Sequence, residues 1–229
     1  MEGVVRLLKF AENNYSALFG PDNFKVVLIN SHSDEWTTRI LKEASASSWV
    51  SLCNSSIQGS LKDALWSGWI GKDKTFTPDI VHITETDASP NISTFKKMLH
   101  VFFEEERNQI ASVTPVYSWQ GKDCYPTHSH WKTDKLYKRH PLYGIIRNVG
   151  GPGVPFLYSL WKPSLLQSLN QAAFPPFIGL DGAFGNYVHK LGYKHLRLMG
   201  SSIDHVGGGR KSRTKPQTHQ RRKSKVIKR

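Results

Sequence analysis

The chain has 229 residues, a length that suits one sizeable domain and is short for two. Its formal net charge is +13, and residues 210–229 contain ten Lys or Arg residues and no acid. The two cysteines, Cys53 and Cys124, are too few for a disulfide-rich scaffold. We therefore expect a folded domain over 1–209 and a basic tail over 210–229 that has no fixed structure.

Hydropathy along the chain argues against membrane insertion and secretion. No apolar run approaches the roughly 18 residues that a membrane span needs. Residues 1–10 lack the apolar centre of a secretory signal. We expect the protein to be cytoplasmic. This expectation covers a peripheral position at the membrane and, if the protein is viral, the cytoplasm of the host cell.

The first half of the chain alternates short apolar runs with amphipathic segments. Apolar runs that end in polar residues predict strands at 25–30, 49–53, 79–83 and 110–117. Helical spacing of apolar residues predicts helices at 35–46, 60–69 and 93–107. This alternation predicts an α/β fold with a mainly parallel central sheet covered by helices on both faces. Ligands of such folds bind at the carboxyl ends of the strands.

The second half begins with a long irregular segment, 118–153, which is rich in Trp, His, Tyr, Lys, Gly and Pro. Segments of this length in compact domains are often lids or binding loops. The pattern then resumes with a strand at 154–160, helices at 163–172 and 182–191, and a last strand at 195–199.

An acidic pair follows the predicted strand at 79–83. Glu85 and Asp87 are two residues apart and lie where both carboxylates face the ligand crevice. Carboxylate oxygens suit Mg²⁺ or Mn²⁺, which usually bind one or two carboxylates together with substrate phosphates. The alternative interpretation of so short a motif is a solvated acidic turn.

Two residues near the end of the domain add to this pattern. Asp181 opens a predicted helix that ends at Gly192, and an acid there also serves simply as a helix cap. His205 follows the last predicted strand and precedes three consecutive glycines at 207–209. A lone histidine of this kind is also compatible with an ordinary surface position.

Taken together, the order of the elements, the Glu85-Thr86-Asp87 segment, the helix from Asp181 to Gly192-Tyr193, and His205 resemble the GT-A glycosyltransferases. The similarity is closest to the inverting, nucleotide-sugar-dependent family 2, and it covers about residues 25–209. It implies a GT-A (Rossmann-like) three-layer sandwich. The chain departs from the family pattern at Glu85, where the first Asp is usual, and at Leu180, where a Glu is common.

The resemblance also implies roles for individual residues. Glu85, Asp87 and His205 would hold Mn²⁺ or Mg²⁺ on the diphosphate of the donor, and Asp181 would be the catalytic base. The nucleotide, UDP by expectation, would contact Asn30, Ser31 and Asn54, although these residues also suit plain strand ends. The acceptor would lie beside Trp119, His128 and Trp131. His128 and His130 lack a second pair of ligands at a spacing typical of zinc sites.

The function that we expect is transfer of a sugar, as in a hexosyltransferase, from a UDP-sugar to a hydroxyl acceptor. The acceptor is open between a glycan, a lipid-linked molecule, a protein and modified DNA. The alternative is a nucleic-acid-binding protein with an inert Rossmann-like body, because the tail suits nucleic acid or an anionic membrane. A nucleotidyltransferase is disfavoured, since residues 30–36 contain no glycine and no Lys or Arg.

Overall fold

The computed structural model describes residues 2–30, 33–54, 78–119, 122–123, 134–149, 158–168 and 180–205. The α-helices in these ranges are α1 (Glu2–Phe19), α2 (Glu35–Ala44), α3 (Ile92–Glu104), α4 (Pro163–Ser168) and α5 (Leu180–Lys190). The strands are β1 (Val26–Asn30), β2 (Val50–Asn54), β3 (Val81–Thr84), β4 (Ile110–Trp119), β5 (Lys122–Asp123), β6 (Lys135–His140), β7 (Gly144–Asn148), β8 (Tyr158–Trp161) and β9 (Lys194–His205). A 3-10 helix spans Glu106–Asn108. None of the described helices combines the length and the apolarity needed to cross a bilayer.

The strands form two hydrogen-bonded groups. β1 and β2 pair in parallel, and the larger sheet has the order β3-β8-β4-β9-β7-β6, with β5 paired to β4. Within the larger sheet β4 and β9 are parallel, while β8 and β7 run antiparallel to their neighbours. The α/β class predicted from the alternating pattern is confirmed, with a mixed central sheet.

Helices cover both faces of the larger sheet. Residues of α3, among them Phe95 and Met98, pack in one buried cluster with Tyr158 and Leu160 of β8. Residues of α4 and α5 pack in a second cluster with Trp161 of β8. Because successive residues of a strand point to opposite faces, the two clusters lie on opposite sides of the sheet. Each large side chain buried in them contributes roughly 1.5–3 kcal/mol.

Side-chain caps fix where two of the predicted helices begin. Oδ1 of Asp34 accepts a hydrogen bond of 2.6 Å from the backbone N–H of Thr37 at the start of α2. Oδ1 of Asn91 accepts one of 3.0 Å from the N–H of Thr94 at the start of α3. Such caps satisfy N–H groups that the first helical turn leaves unpaired. Polar residues in the loops after β1 and β3 therefore determine where the next helix in the chain begins.

The structure corrects the sequence prediction in three places. Residues 2–19 form α1, for which no helix was predicted. The segment 118–153 is not irregular throughout, because it contains the end of β4, β5 and a β6–β7 hairpin. The last strand continues to His205 instead of ending at residue 199. The predicted helix at 60–69 and the basic tail lie outside the described residues, and the predicted strand at 154–160 is observed as Tyr158–Trp161.

A bulge interrupts the pairing of β9 with β4. Pro115 pairs with Leu198, and the next residue, Val116, pairs with Ser202. Three residues of β9 therefore fall between consecutive residues of β4. Gly200 lies in this bulge, where a Cβ atom would come within 3.0 Å of the carbonyl oxygen of Tyr143. Bulges of this kind bend a strand and redirect the residues that follow.

Candidate functional site

The acidic pair lies in a tight turn between β3 and α3. This acid turn, Glu85–Ala88, is closed by a hydrogen bond of 3.1 Å from Ala88 N–H to Glu85 C=O. Ala88 is fully buried and forms an isolated β-bridge with His205. Ser89 N–H donates to the carbonyl of Asp204 at 2.8 Å. The acid turn is therefore attached to the end of β9.

Asp87 contacts His205 across this junction. Nε2 of His205 lies 3.0 Å from Oδ2 of Asp87, and both side chains are partly exposed. The other carboxylate oxygen, Oδ1, is buried and has no hydrogen-bond partner within the described part of the chain. Adjacent ligands of an octahedral cation with bonds of about 2.1 Å lie about 3.0 Å apart. The spacing of the pair and the unpaired Oδ1 therefore fit the ligand geometry of a divalent cation.

Glu85 has a different environment from Asp87. It is partly buried, and its charge acts on Tyr117 of β4. Burial raises the pKa of Tyr117, and the negative charge of Glu85 raises it further. The two acids of the turn therefore have different neighbours, and the contact with His205 involves Asp87.

The end of β9 is fixed by contacts that the sequence did not indicate. Oγ of Ser118 donates to Oδ1 of Asp204, the residue before His205. Oγ1 of Thr94, in α3, donates to the carbonyl of Ser202 at 3.2 Å. Each contact joins residues more than 80 positions apart, so no local pattern in the sequence reveals it. These contacts hold the backbone that carries His205.

The asparagines at the ends of β1 and β2 contact each other. Nδ2 of Asn30 donates to Oδ1 of Asn54 at 3.0 Å and to Oγ1 of Thr38 at 3.2 Å. Oδ1 of Asn30 accepts from the N–H of Ser33 at 3.1 Å. Asn30 is buried and Asn54 is exposed. Asn30 therefore uses its amide to orient the strand ends, and Asn54 is the one that is accessible to a ligand.

The remaining candidate residues are located in part. Asp181 lies in the first turn of α5, and its side chain is outside the described part of the structure. Val188 of α5 packs in the same buried cluster as Ile83 of β3, so α5 covers the face of the sheet on which Ile83 lies. Trp119 ends β4 as the backbone partner of His205. Ser31, His128 and Trp131 lie outside the described residues.

Comparison with solved structures finds this fold elsewhere. A structure of the mannosyltransferase PcManGT from Pyrobaculum calidifontis in complex with GDP-Man and Mn²⁺ superposes with a TM-score of 0.57 and 17% identity, over 90% of this chain and 54% of that one. The fold is shared with a glycosyltransferase. S. aureus TarS 1-349 matches with a TM-score of 0.52 and 14% identity, over 88% of this chain and 58% of that one.

The chain thus spans little more than half the length of either structure with the same fold. No protein-family model matches the sequence, and no curated protein matches it. At this level of identity the likeness establishes the glycosyltransferase fold and leaves activity to the site residues.

A second group of metal-ligating residue types lies at the C-terminal half of α3 and consists of His100, Glu104 and His140. Nδ1 of His140 accepts hydrogen bonds from the N–H groups of Leu142 and Tyr143, so its Nε2 carries the hydrogen and donates to Glu104 at 2.8 Å. A ligating nitrogen needs a free lone pair, which this arrangement denies to Nε2. Hydrogen bonds from Lys138 and His140 also lower the pKa of Glu104. The group is better explained as a hydrogen-bonded cluster than as a metal site.

A shallow cavity of about 200 Å³ lies between α1 and the start of β2, lined by residues that include Leu8 and Trp49. Ligand pockets usually measure roughly 300–1,000 Å³ and contain converging polar groups. Within the described part of the chain, no candidate site residue lines this cavity. It therefore does not compete with the acid turn as a site.

Proposed function

We propose that this protein is a metal-dependent, inverting glycosyltransferase that transfers a sugar from a nucleotide-sugar donor to a hydroxyl acceptor. The observation that carries the proposal is the Asp87–His205 pair, 3.0 Å apart, in a glycosyltransferase fold. The pair lies beyond the carboxyl end of β3, which is where α/β folds bind their ligands. The presence of GDP-Man and Mn²⁺ in the PcManGT structure supports a nucleotide sugar and a divalent cation as partners.

Asp87 and His205 would hold the cation, Mn²⁺ or Mg²⁺, and Glu85 would assist from the other end of the acid turn. When bound, the cation neutralises charge that develops on the departing diphosphate. Asn54, held in position by Asn30, would contact the nucleotide together with Ser31. We favour a UDP-sugar because an amide matches the donor and acceptor groups of uracil.

On the acceptor side, Asp181 would be the general base that removes the proton from the attacking hydroxyl. Trp119, His128 and Trp131 would contact the acceptor, since aromatic faces beside polar groups suit sugar rings and bases. One in-line displacement at the anomeric carbon would invert its configuration. The acceptor itself stays open between a glycan, a lipid-linked molecule, a protein and modified DNA.

The proposal is tested by thermal unfolding with UDP, GDP, CDP and their sugars, each with and without Mn²⁺. A ligand present at about 100 times its Kd stabilises the folded state by about 2.7 kcal/mol. We expect a nucleotide-dependent rise in Tm that requires Mn²⁺ and is lost in Asp87→Ala. Asp79→Ala, at an exposed acid just before β3, is the matched control and should respond like the wild type. If no nucleotide raises Tm with either metal, the proposal is wrong.

The charge of the tail favours a second candidate function, nucleic-acid binding by an otherwise inert body. Ten of the last 20 residues are Lys or Arg. Binding through phosphate contacts weakens steeply with salt. Removal of residues 210–229 should abolish binding to DNA or RNA in a gel-shift assay and leave the Mn²⁺-dependent nucleotide response intact if the tail is an accessory. If the full chain shows no nucleotide response and the deletion of residues 210–229 abolishes DNA binding, the second candidate function is favoured.

A further inference from the structure

Helix α1 lies against the strand that leads to the acid turn. The hydroxyl of Tyr15 is 2.5 Å from Nδ1 of His82 in β3, and the ring of Tyr15 lies 4.8 Å from that of Phe95 in α3. Leu18 and Phe19 pack on the same buried cluster as Phe95. The C-terminal half of α1 therefore contacts β3, which precedes the acid turn in the chain, and α3, which follows it.

The N-terminal half of α1 approaches the acid turn itself. A Cβ atom on Gly3 would lie 2.0 Å from the carbonyl oxygen of Thr86, a distance that no side chain tolerates. Glycine is thus required for the helix to come this close to the turn. The backbone of α1 is in direct contact with the residue between the two acids.

Arg6 binds this turn from the next helical turn of α1. Its Nη2 donates to the carbonyl of Thr86 at 3.1 Å and to the carbonyl of Ala88 at 3.2 Å. These two carbonyls flank Asp87. The guanidinium therefore fixes the backbone on both sides of Asp87, and β9 fixes the turn from the opposite side through the Ala88–His205 bridge.

We propose that Arg6 is a positioning residue of the candidate cation site, which acts by holding the acid turn so that the carboxylate of Asp87 faces His205. The inference rests on the proposed function, because the cation is what makes this orientation matter. The side chain suits the role because Nη2 carries two N–H donors, one for each of the two carbonyls. Outer contacts that orient a metal ligand typically change metal affinity 10–100-fold when removed.

The test measures Mn²⁺ binding, by the electron paramagnetic resonance of the free ion, and hydrogen exchange of the backbone over 84–89. In Arg6→Ala we expect Mn²⁺ to bind about 10–100-fold more weakly and the amides of residues 84–89 to exchange faster. Arg39→Ala is the matched control, because it also removes an arginine from a helix. The side chain of Arg39 is exposed, and its Nε lies 3.9 Å from Oε1 of the exposed Glu43 in a surface ion pair. Arg39→Ala should change neither measurement.

Two further variants keep the test decisive if Arg6→Ala folds poorly. Arg6→Lys retains the charge, and because both hydrogen bonds come from the single atom Nη2, an ammonium can replace them, so this variant should recover part of the Mn²⁺ affinity that Arg6→Ala loses. Gly3→Ala retains Arg6 and pushes α1 away from Thr86, so it should act in the same direction as Arg6→Ala.

The outcomes separate the two proposals. A wild-type protein that binds no Mn²⁺ overturns the proposed cation site. A wild-type protein that binds Mn²⁺ with an affinity that Arg6→Ala and Arg6→Lys leave unchanged overturns only the positioning role. Faster exchange at 84–89 with unchanged Mn²⁺ affinity also overturns it, because Arg6 would then have a purely structural effect.

Discussion

Asp134 and Arg197 form an ion pair in the interior, with Nη1 of Arg197 2.5 Å from Oδ2 of Asp134 and both side chains at most 1% exposed. Asp134 lies just before β6 and Arg197 lies in β9. Arg147 of β7 donates a further hydrogen bond of 3.3 Å to the backbone carbonyl of Asp134. The pair therefore ties the β6–β7 hairpin to the strand that carries His205.

Breaking this pair should be costly. We expect Arg197→Met to lower the free energy of unfolding by about 3–5 kcal/mol, because it removes the cation that pairs with the buried carboxylate of Asp134. Urea denaturation measures the change. Arg39→Met, at the exposed pair with Glu43, should cost at most about 1 kcal/mol. The double variant Arg197→Met/Asp134→Leu should recover part of the lost free energy of unfolding. If the double variant and Arg197→Met lose the same amount, the explanation is wrong.

His205 should be needed for the metal response but not for folding. In His205→Ala we expect the Mn²⁺ concentration that half-saturates donor binding to rise roughly tenfold or more, since one ligand of the cation is lost. Titration calorimetry at several Mn²⁺ concentrations gives this value. His189→Ala, at an exposed histidine of α5, is the control. A His205→Ala protein with the wild-type requirement for Mn²⁺ would remove His205 from the site.

Asp181 should affect turnover far more than donor binding. A general base contributes roughly 10²–10⁴-fold to the rate, so Asp181→Asn should lower kcat by that factor once an acceptor is known. Its donor affinity should stay within about twofold, because a base on the acceptor side makes no contact with the nucleotide. Asp22→Asn, at an exposed acid, should leave both values unchanged. Parallel loss of donor affinity and kcat would instead indicate a role at the donor.

Two histidines, the fully buried His195 and the partly buried His82, should make stability depend on pH. Burial lowers the pKa of His82 and of His195 from 6.5 to about 3 in the folded protein. Between these values the unfolded chain binds protons that the folded chain does not, so stability falls as pH decreases from about 6.5 towards 3. Each histidine contributes up to about 1.4 kcal/mol per pH unit in this window.

The difference between urea denaturation at pH 7 and at pH 5 measures this dependence. His195→Asn should reduce the slope by about half, because one of the two protons is no longer taken up. His189→Asn, which changes an exposed histidine, should retain it. A slope unchanged in His195→Asn would show that other groups cause the acid sensitivity.

The sequence predicted the central elements because their burial leaves a simple pattern. β1 to β4 appear as apolar runs, and α2 and α3 follow polar caps, so their order and the position of Glu85 and Asp87 could be predicted. The β6–β7 hairpin was missed, since β6 (KLYKRH) is polar except for two residues. Its Lys138 forms ion pairs with Glu104 and Glu105, which are distant in sequence.

The site could be predicted only as far as local motifs extend. Glu85, Asp87 and His205 were selected as candidates because their residue types stand out at strand ends, and the structure brings Asp87 and His205 together. The contacts of Arg6 with the turn and of Ser118 with Asp204 join residues 80 or more positions apart, so they depend on tertiary structure. Contact of Asn30 with the nucleotide stays a prediction, and the structure adds hydrogen bonds of its amide group with Asn54 and Ser33 that the sequence did not indicate.

The bulge in β9 lies between two parts of the strand, and both parts contribute residues to the core. Before the bulge, Leu196 and Leu198 are fully buried in the core, and after it Asp204 and His205 contact the residues around the acid turn. Because a bulge redirects the residues that follow it, Asp204 and His205 reach the acid turn while Ile203 still packs in the core. A substitution at His205 should therefore spare the packed centre of the sheet, whereas Ile203→Ala should destabilise it.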